Sequence, residues 1–412
     1  MNQNELDFIA LFRCAIHANT PKKSENLNID AIKKLADRHN AWPLIFMALK
    51  DLYTEDPCDT WPTYRNAFFF LCVKNMQRMY ALRKILSDLT SNGIPYAVLK
   101  GESLSMLYPH PECRISSDID LYVAPENESA VIDILEKHNV QVEPRIPHAH
   151  HRDCHSRACG TIELHTQWQG DLQNDILFKN KLNTTEPFIT AKTEALDSFS
   201  TLSVNDGLFM HFAHLFTHFV SGGFGVRLIS DLLLYIRKYK NEIDEARFRS
   251  FLAELGYNKF FDALLGIGIK YLGFKKEDLF SASYEEDTVD LLMEDCISGG
   301  AFGHAETGRH ESHDDYMRTR MENNGEDFRQ YKKEYQAENN LKKLSFSTKN
   351  IKNLYPYVRK NSLLLPVAYL HHCCFIVRRG FAKLFAKKPT ATDPLHENAQ
   401  KRKPLFDKLG LK

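Results

Sequence analysis

The run Arg114-Ile115-Ser116-Ser117-Asp118-Ile119-Asp120-Leu121-Tyr122-Val123 constrains the fold more than any other stretch of this chain. Two carboxylates stand two residues apart in an otherwise apolar run. In a strand the side-chain period is two, so Asp118, Asp120 and Tyr122 share one face while Ile119, Leu121 and Val123 turn toward a core. Neighbouring aspartates on one face repel each other. A fold keeps such a pair where something offsets the charge, and the usual agent is a divalent cation with oxygen ligands. The pair alone also fits a solvated strand end, so the reading depends on what surrounds it.

Upstream, Ile94-Pro95-Tyr96-Ala97-Val98-Leu99 reads as a short buried strand opened by the Asn92-Gly93 turn. It runs into Lys100-Gly101-Glu102-Ser103 and a short helix through Leu104, Met106, Leu107 and Tyr108. Strand, glycine, hydroxyl residue and helix together present backbone N–H groups to a phosphate. Gly101 has no Cβ and permits close approach. Downstream, Thr161-Ile162-Glu163-Leu164-His165-Thr166-Gln167-Trp168 alternates again. Ile162, Leu164 and Trp168 are expected to face a core, with Glu163 and His165 opposite. Three carboxylates on neighbouring strands can surround one or two Mg²⁺ ions. In two-metal sites the ions sit roughly 3.5–4 Å apart and clamp the attacking and leaving oxygens of an in-line displacement.

Gly101 with Ser103, then Asp118-x-Asp120, then Glu163 resembles the nucleotidyltransferase superfamily that includes DNA polymerase beta. The longer string Leu99-Lys100-Gly101, Leu107-Tyr108-Pro109, Arg114, Asp118-Ile119-Asp120-Leu121 and Glu163-Leu164-His165 with Trp168 is similar to a bacterial, uncharacterised nucleotidyltransferase-like branch. The resemblance covers roughly residues 93–240. One position departs from the superfamily pattern: Gly101 is followed by Glu102, and the hydroxyl comes one place later at Ser103. The resemblance implies NTP binding by Lys100, Gly101, Ser103 and Arg114. It also implies catalysis and metal binding by Asp118, Asp120 and Glu163, with Mg²⁺ as the cofactor and Mn²⁺ as the alternative. The acceptor is left open.

Charge is balanced, with 53 Lys plus Arg against 53 Asp plus Glu, so no basic field argues for an extended nucleic-acid surface. Nine cysteines without regular spacing fit reduced thiols better than a disulfide framework. The first residues, Met1 to Glu5, lack the basic and apolar regions of a signal peptide, and no apolar run reaches the ~18 residues needed to span a bilayer. A cytoplasmic enzyme is the expectation.

The expected fold is α+β: a small mixed-sheet nucleotidyltransferase unit embedded between helical regions. Residues 1–92 read as helical, with Phe68, Cys72, Met76, Met79, Leu82, Leu86 and Leu89 as a core-facing stripe ending near Gly93. The catalytic unit takes 93–195, a helical domain 196–345, and a C-terminal helix with a loose tail 346–412. Within the catalytic unit, Pro125 opens a helix through Leu135, Val140-Gln141-Val142 is a strand, and a hairpin turns at Cys159-Gly160. Glu285 to Asp290 and Glu306 to Glu338 read as charged, solvated segments.

His211, His214 and His218 fall on one helical face. They are read as polar fillers between helices, with a metal or phosphate set as the alternative; no glutamate or cysteine completes a tight zinc site there. Arg227 and Asp231 stand one turn apart as an ion pair. That pair can also hold Arg227 toward a triphosphate, which suits its planar fork. His148, His150, His151, Cys154, His155 and Cys159 have no standard zinc spacing, and alternation would split them over two faces. Residues 363–388 combine an apolar stretch with a basic flank from Arg378 to Lys388. This segment is expected to dock on the body, with weak membrane-surface contact as the alternative.

Two further functions compete with Mg²⁺-dependent transfer of a nucleotidyl group. One is a glycosyltransferase using Asp-x-Asp to hold a nucleotide sugar; this needs an α/β nucleotide-binding unit of ~100 residues ahead of the motif. The other is an inactive nucleotide-binding protein of the same fold, against which the three intact acids argue.

Overall fold

In the computed structural model the described residues are 1–22, 27–53, 55–144, 151–167, 186–193, 197–221, 223–301, 364–374 and 402–411, with Phe178, Met317, Ile351 and Val358. Four helices come first: α1 (Gln3–His17), α2 (Ile29–Arg38), α3 (Trp42–Lys50) and α4 (Trp61–Ser91). The first opens on a capping box: Asn2 accepts from the Glu5 amide and the Glu5 carboxylate accepts from the Asn2 amide.

Helix α4 serves two cores. Phe68 and Cys72 join a large helical core, while Met79, Leu82, Ile85, Leu86 and Leu89 join a second core under the sheet. Met76 departs from the expected stripe and is 51% exposed. Asn75 holds that position instead, because the buried spacing 68, 72, 75, 79, 82 keeps the seam straight. At the junction between the cores the buried face is polar. Asn75 donates to the Glu112 carbonyl at 3.1 Å, and Arg78 donates to the Ser116 carbonyl at 2.7 Å.

The strands of the main sheet are β1 (Tyr96–Val98), β2 (Asp118–Val123), β3 (Gln141–Val142), β4 (His151–Ser156) and β5 (Gly160–His165), in spatial order β1-β2-β5-β4-β3. Strands β2 and β5 run parallel and the other neighbours antiparallel, so the sheet is mixed. Between β1 and β2 lies a four-residue helix α5 (Glu102–Ser105), and α6 (Glu128–Lys137) follows β2. The fold is α+β. Ile119, Leu121, Val123, Cys154, Ile162 and Leu164 pack with residues of α4 and α6 on one face. The other face carries Asp118, Asp120 and Tyr122 of β2, Glu163 and His165 of β5, and His151 and Asp153 of β4. A second hairpin, β6 (Ile189–Thr193) and β7 (Asp197–Thr201), is not foreseen from the sequence. It contributes only Ala191 and Phe199 to the core, too few apolar residues to give a readable alternation. Thr201 ties it to β1 by donating to the Val98 carbonyl at 2.7 Å. Among the described residues ahead of Asp118 the regular elements are helices and β1, which do not make an α/β nucleotide-sugar unit.

Helices α7 (Val204–Ser221), α8 (Val226–Tyr239), α9 (Glu245–Leu255), α10 (Asn258–Lys270) and α11 (Glu286–Gly299) build the helical body. Aromatic rings fill it: Phe216 stacks on Tyr257 at 4.0 Å between centroids, and Phe219 stacks on Phe260 at 4.7 Å. The segment from Glu285 to Asp290 keeps Glu285, Glu286 and Asp287 exposed, as its charged, solvated reading expects. It starts α11, buries Val289, and Asp290 accepts from the Tyr271 hydroxyl at 2.6 Å.

The last described residues correct an expectation. Instead of a loose end, a helix over 402–408 lays Leu405, Phe406, Leu409 and Leu411 into the large core. Arg402 reaches Asp295 at 2.9 Å and donates to the Phe219 carbonyl at 2.8 Å. Over 364–374, Ala368 and His372 are buried and Leu370 is exposed. The basic flank from Arg378 to Lys388, Trp168 and all of Glu306–Glu338 except Met317 lie outside the described residues. Among the described residues, no helix is long and apolar enough to cross a membrane.

Candidate active site

The loop after β1 is shaped by Gly101, whose φ of +64° is a left-handed conformation. A Cβ there would also come within 3.0 Å of the Ser116 hydroxyl. Glu102 turns inward, away from the cavity. Its buried carboxylate meets Arg78 of α4 at 2.5 Å, so this departure from the family pattern ties the loop to the long helix. Burial pushes the Glu102 carboxyl up, and Arg78 opposes that shift. Ser103 is buried, and its hydroxyl has no hydrogen-bond partner among the described residues.

Register brings the acids together. Asp120 of β2 sits beside Glu163 of β5, Asp118 beside Thr161, and Tyr122 beside His165. Strand β4 then places Asp153 opposite Glu163 and His151 opposite His165. Asp120 is the hub: Lys100 Nζ lies 3.1 Å and His165 Nε2 3.0 Å from its Oδ1. Burial would raise its carboxyl, but Lys100 and His165 hold it well below the usual carboxylate range. Burial works against the protonated His165, yet Asp120 and Glu163 raise its pKa. The same acids, with Asp118, raise Lys100 against its own burial. Asp118 is half-buried and accepts from the Ser117 hydroxyl at 3.2 Å.

These residues fit a divalent cation. The second oxygen of Asp120, Oδ2, is buried without a hydrogen-bond partner among the described residues, and Asp118 stands on the same face. Beside them His151, Glu163 and His165 offer ligand atoms within 4.8 Å of one another. That grouping replaces the histidine and cysteine cluster considered from the sequence. Cys154 and Cys159 lie in the core on the far side, their thiols pushed by burial to about 12 and about 11. His148 and His150 lie outside the described residues.

A cavity of about 120 Å³ opens between this face and the helical body. The sheet side contributes Lys100, Gly101, Ser116, Ser117, Asp118 and Asp120. From the helical side come Arg227 and Asp231 of α8, and His211, His214 and His218 of α7. Arg114, just before β2, donates to Asp231 at 3.1 and 2.7 Å, and Tyr108 donates to the same carboxylate at 2.7 Å. Arg227 comes no closer to Asp231 than 3.9 Å. So the cavity gathers Lys100, Gly101, Arg114, Asp118, Asp120 and Arg227, while Ser103 and Glu163 are not on its wall. Ser116 and Ser117 were missed by the sequence reading, although they directly precede Asp118; the Ser116 hydroxyl flanks the glycine and that of Ser117 meets Asp118.

The profile of a family described as uncharacterised nucleotidyltransferase matches residues 25–272, more than half of the chain. No curated protein and no solved structure matches it.

Proposed function

The chain belongs to the uncharacterised nucleotidyltransferase family, and on that premise we propose that it transfers a nucleoside monophosphate from an NTP to a hydroxyl-bearing acceptor. The acceptor oxygen attacks the α-phosphorus. The new P–O bond forms as the bond to the bridging β-phosphate oxygen breaks, and pyrophosphate leaves. The observation that carries this reading is Asp120: a buried carboxylate at the floor of a cavity, one oxygen paired and the other without a partner, beside Asp118 and in register with Glu163.

Asp118, Asp120 and Glu163 would hold Mg²⁺, or Mn²⁺ in its place, which when bound neutralises charge on the phosphates and lowers the pKa of an attacking hydroxyl. Glu163 stands on the acceptor side, where it takes the hydroxyl proton. Lys100 and the backbone at Gly101 carry phosphates, with the Ser116 and Ser117 hydroxyls at hand and Ser103 buried behind the loop. Arg114 and Arg227 face the triphosphate from the helical side. The proposed setting is the cytoplasm.

The test is thermal. Mg-NTP should raise the melting temperature of the wild type, as any ligand of the native state does. Asp118→Asn and Asp120→Asn should abolish both that rise and label transfer from α-labelled NTP to a cell extract. Neither should unfold the protein. Glu163→Gln should impair transfer more than binding. Wild-type binding and transfer in all three variants would remove the site from these residues.

A further inference from the structure

The three histidines of α7 were read from the sequence as fillers, but they line the same cavity as the acids, on its opposite wall. Two guanidinium groups share that wall. Arg227 Nε is buried without a hydrogen-bond partner among the described residues, and so is Arg114 Nη1. The nearby carboxylate cannot serve both. Asp231 is already taken by Arg114 and Tyr108, which leaves Arg227 at 3.9 Å. A buried cation without a well-formed partner costs several kcal/mol, of order 3–5 where a partner has been removed. A fold that retains one at a cavity wall has an anion to receive there.

The histidines extend this donor surface along α7. His214 and His218 stand edge to face at 4.5 Å, and His211 lies one turn earlier against Tyr235 at 4.9 Å. Among the described residues the carboxylate that acts on them is Asp231, felt by His211, and Arg114 engages it. Burial, then Lys100 and Arg227, keep His218 low, at about 4; burial also lowers His211, to about 3, with Arg114 and Lys100 adding to the effect. They therefore stand neutral, each with a single N–H; that of His214 is there to donate, and that of His218, which meets the Gly223 backbone, turns to an anion only by giving up that contact. Asp118 and Asp120 stand with Lys100 on the sheet wall, and Arg227 and the histidines stand with the engaged Asp231 on the helical wall, so a chain of phosphates bridging the two would meet a cation-binding side and an N–H-donating side.

We propose that His214 and His218, with Arg227, form a polyphosphate-recognition wall that holds the phosphates distal to the reacting one, the part that departs as pyrophosphate. This rests on the nucleotidyl-transfer reading and assigns the histidines a place in it. Polyphosphate binding here needs neither base nor sugar.

The experiment is calorimetric titration of the full chain with inorganic tripolyphosphate in the absence of divalent metal, beside Mg-ATP and adenosine. The wild type should bind tripolyphosphate and not adenosine. The double variant His214→Leu, His218→Leu replaces two half-buried imidazoles by apolar groups of similar size, and should lose at least tenfold in tripolyphosphate affinity. In the wild type, the ring proton resonances of His214 and His218 should move on adding tripolyphosphate; this reading needs no variant to fold. Unmoved resonances, or unchanged tripolyphosphate affinity in the double variant, would overturn the proposal. If Mg-ATP still binds the wild type in an Asp120-dependent way, nucleotidyl transfer stands and only the wall is wrong. If neither tripolyphosphate nor Mg-ATP binds the wild type, both readings fail.

Discussion

At the scale of single residues, the buried Arg78–Glu102 pair shows why Gly101 is followed by an acid. Its 2.5 Å contact, with the Arg78 bond to the Ser116 carbonyl, anchors both loops that approach Asp118. Arg78→Ala strands a buried carboxylate, and a loss of about 3–5 kcal/mol in urea melts is expected. Arg78→Ala with Glu102→Leu should recover much of it, because the unpaired charge is gone. The cavity histidines set the pH response. Their folded pKa values lie below the ordinary 6.5, at about 3 for His211 and about 4 for His218, and His214 well below its ordinary value. The unfolded chain therefore binds protons that the folded one refuses, and stability falls as pH drops through 6.5. Each such histidine contributes at most about 1.4 kcal/mol per pH unit. His165 has the opposite sign: its raised pKa adds stability below 6.5 that is lost as pH rises. The comparison that isolates the cavity is melting temperature from pH 7 to 5 for wild type and His214→Leu. The variant should lose less on acidification. Equal slopes would mean that His214 takes up a proton in the fold as readily as in the open chain.

At the scale of elements, the C-terminal helix over 402–408 is a brace. Phe406 stacks on Phe219 at 5.2 Å, and Arg402 bonds both Asp295 and the Phe219 carbonyl. Removing residues 402–412 should uncover Phe219 and the ends of α7 and α11. We expect a melting temperature lower by several degrees and dye binding to exposed apolar surface; a truncation with an unchanged melt would make the helix an ornament. The sequence hid this element because its apolar residues, Leu405, Phe406, Leu409 and Leu411, lie in a short run among lysines. Long elements were readable: α4 and α7 from their three-and-four spacing, and β2 and β5 from alternation that bonding register then aligned. The Asp118, Asp120 and Glu163 grouping was readable because a period of two leaves an acid no other face. Met76 misled because the seam passes through a polar residue, Asn75, which pattern reading discounts. The hairpin at Cys159-Gly160 was readable, but the alliance of His151 with Glu163 and His165 was hidden because it depends on the pairing register that sets His151 opposite His165.

At the scale of the whole molecule, Asp231 is the point at which the sheet and the helical body are joined at the cavity. It receives Arg114 from the approach to β2, Tyr108 from the segment after α5, and stands nearest to Arg227 on its own helix. Burial would raise its carboxyl, but Arg114 first, then Arg227 and Tyr108, hold it down. The two partners are therefore not equivalent. Arg114→Met leaves Asp231 with the Tyr108 hydroxyl and a guanidinium at 3.9 Å, a partial replacement. Asp231→Asn leaves Arg114 and Arg227 with no carboxylate between them. We expect Asp231→Asn to be the more destabilising, at or beyond the upper end of about 3–5 kcal/mol, and Arg114→Met to fall below that range. The same reasoning predicts rescue. An anion in the cavity compensates the two stranded guanidinium groups, so saturating tripolyphosphate should raise the melting temperature of Asp231→Asn by more than it raises the wild type. Urea melts rank the two variants and thermal melts with and without tripolyphosphate read the rescue. Equal damage from the two substitutions, with no greater anion stabilisation of Asp231→Asn, would show that the carboxylate is one contact among many rather than the joint on which the cavity closes.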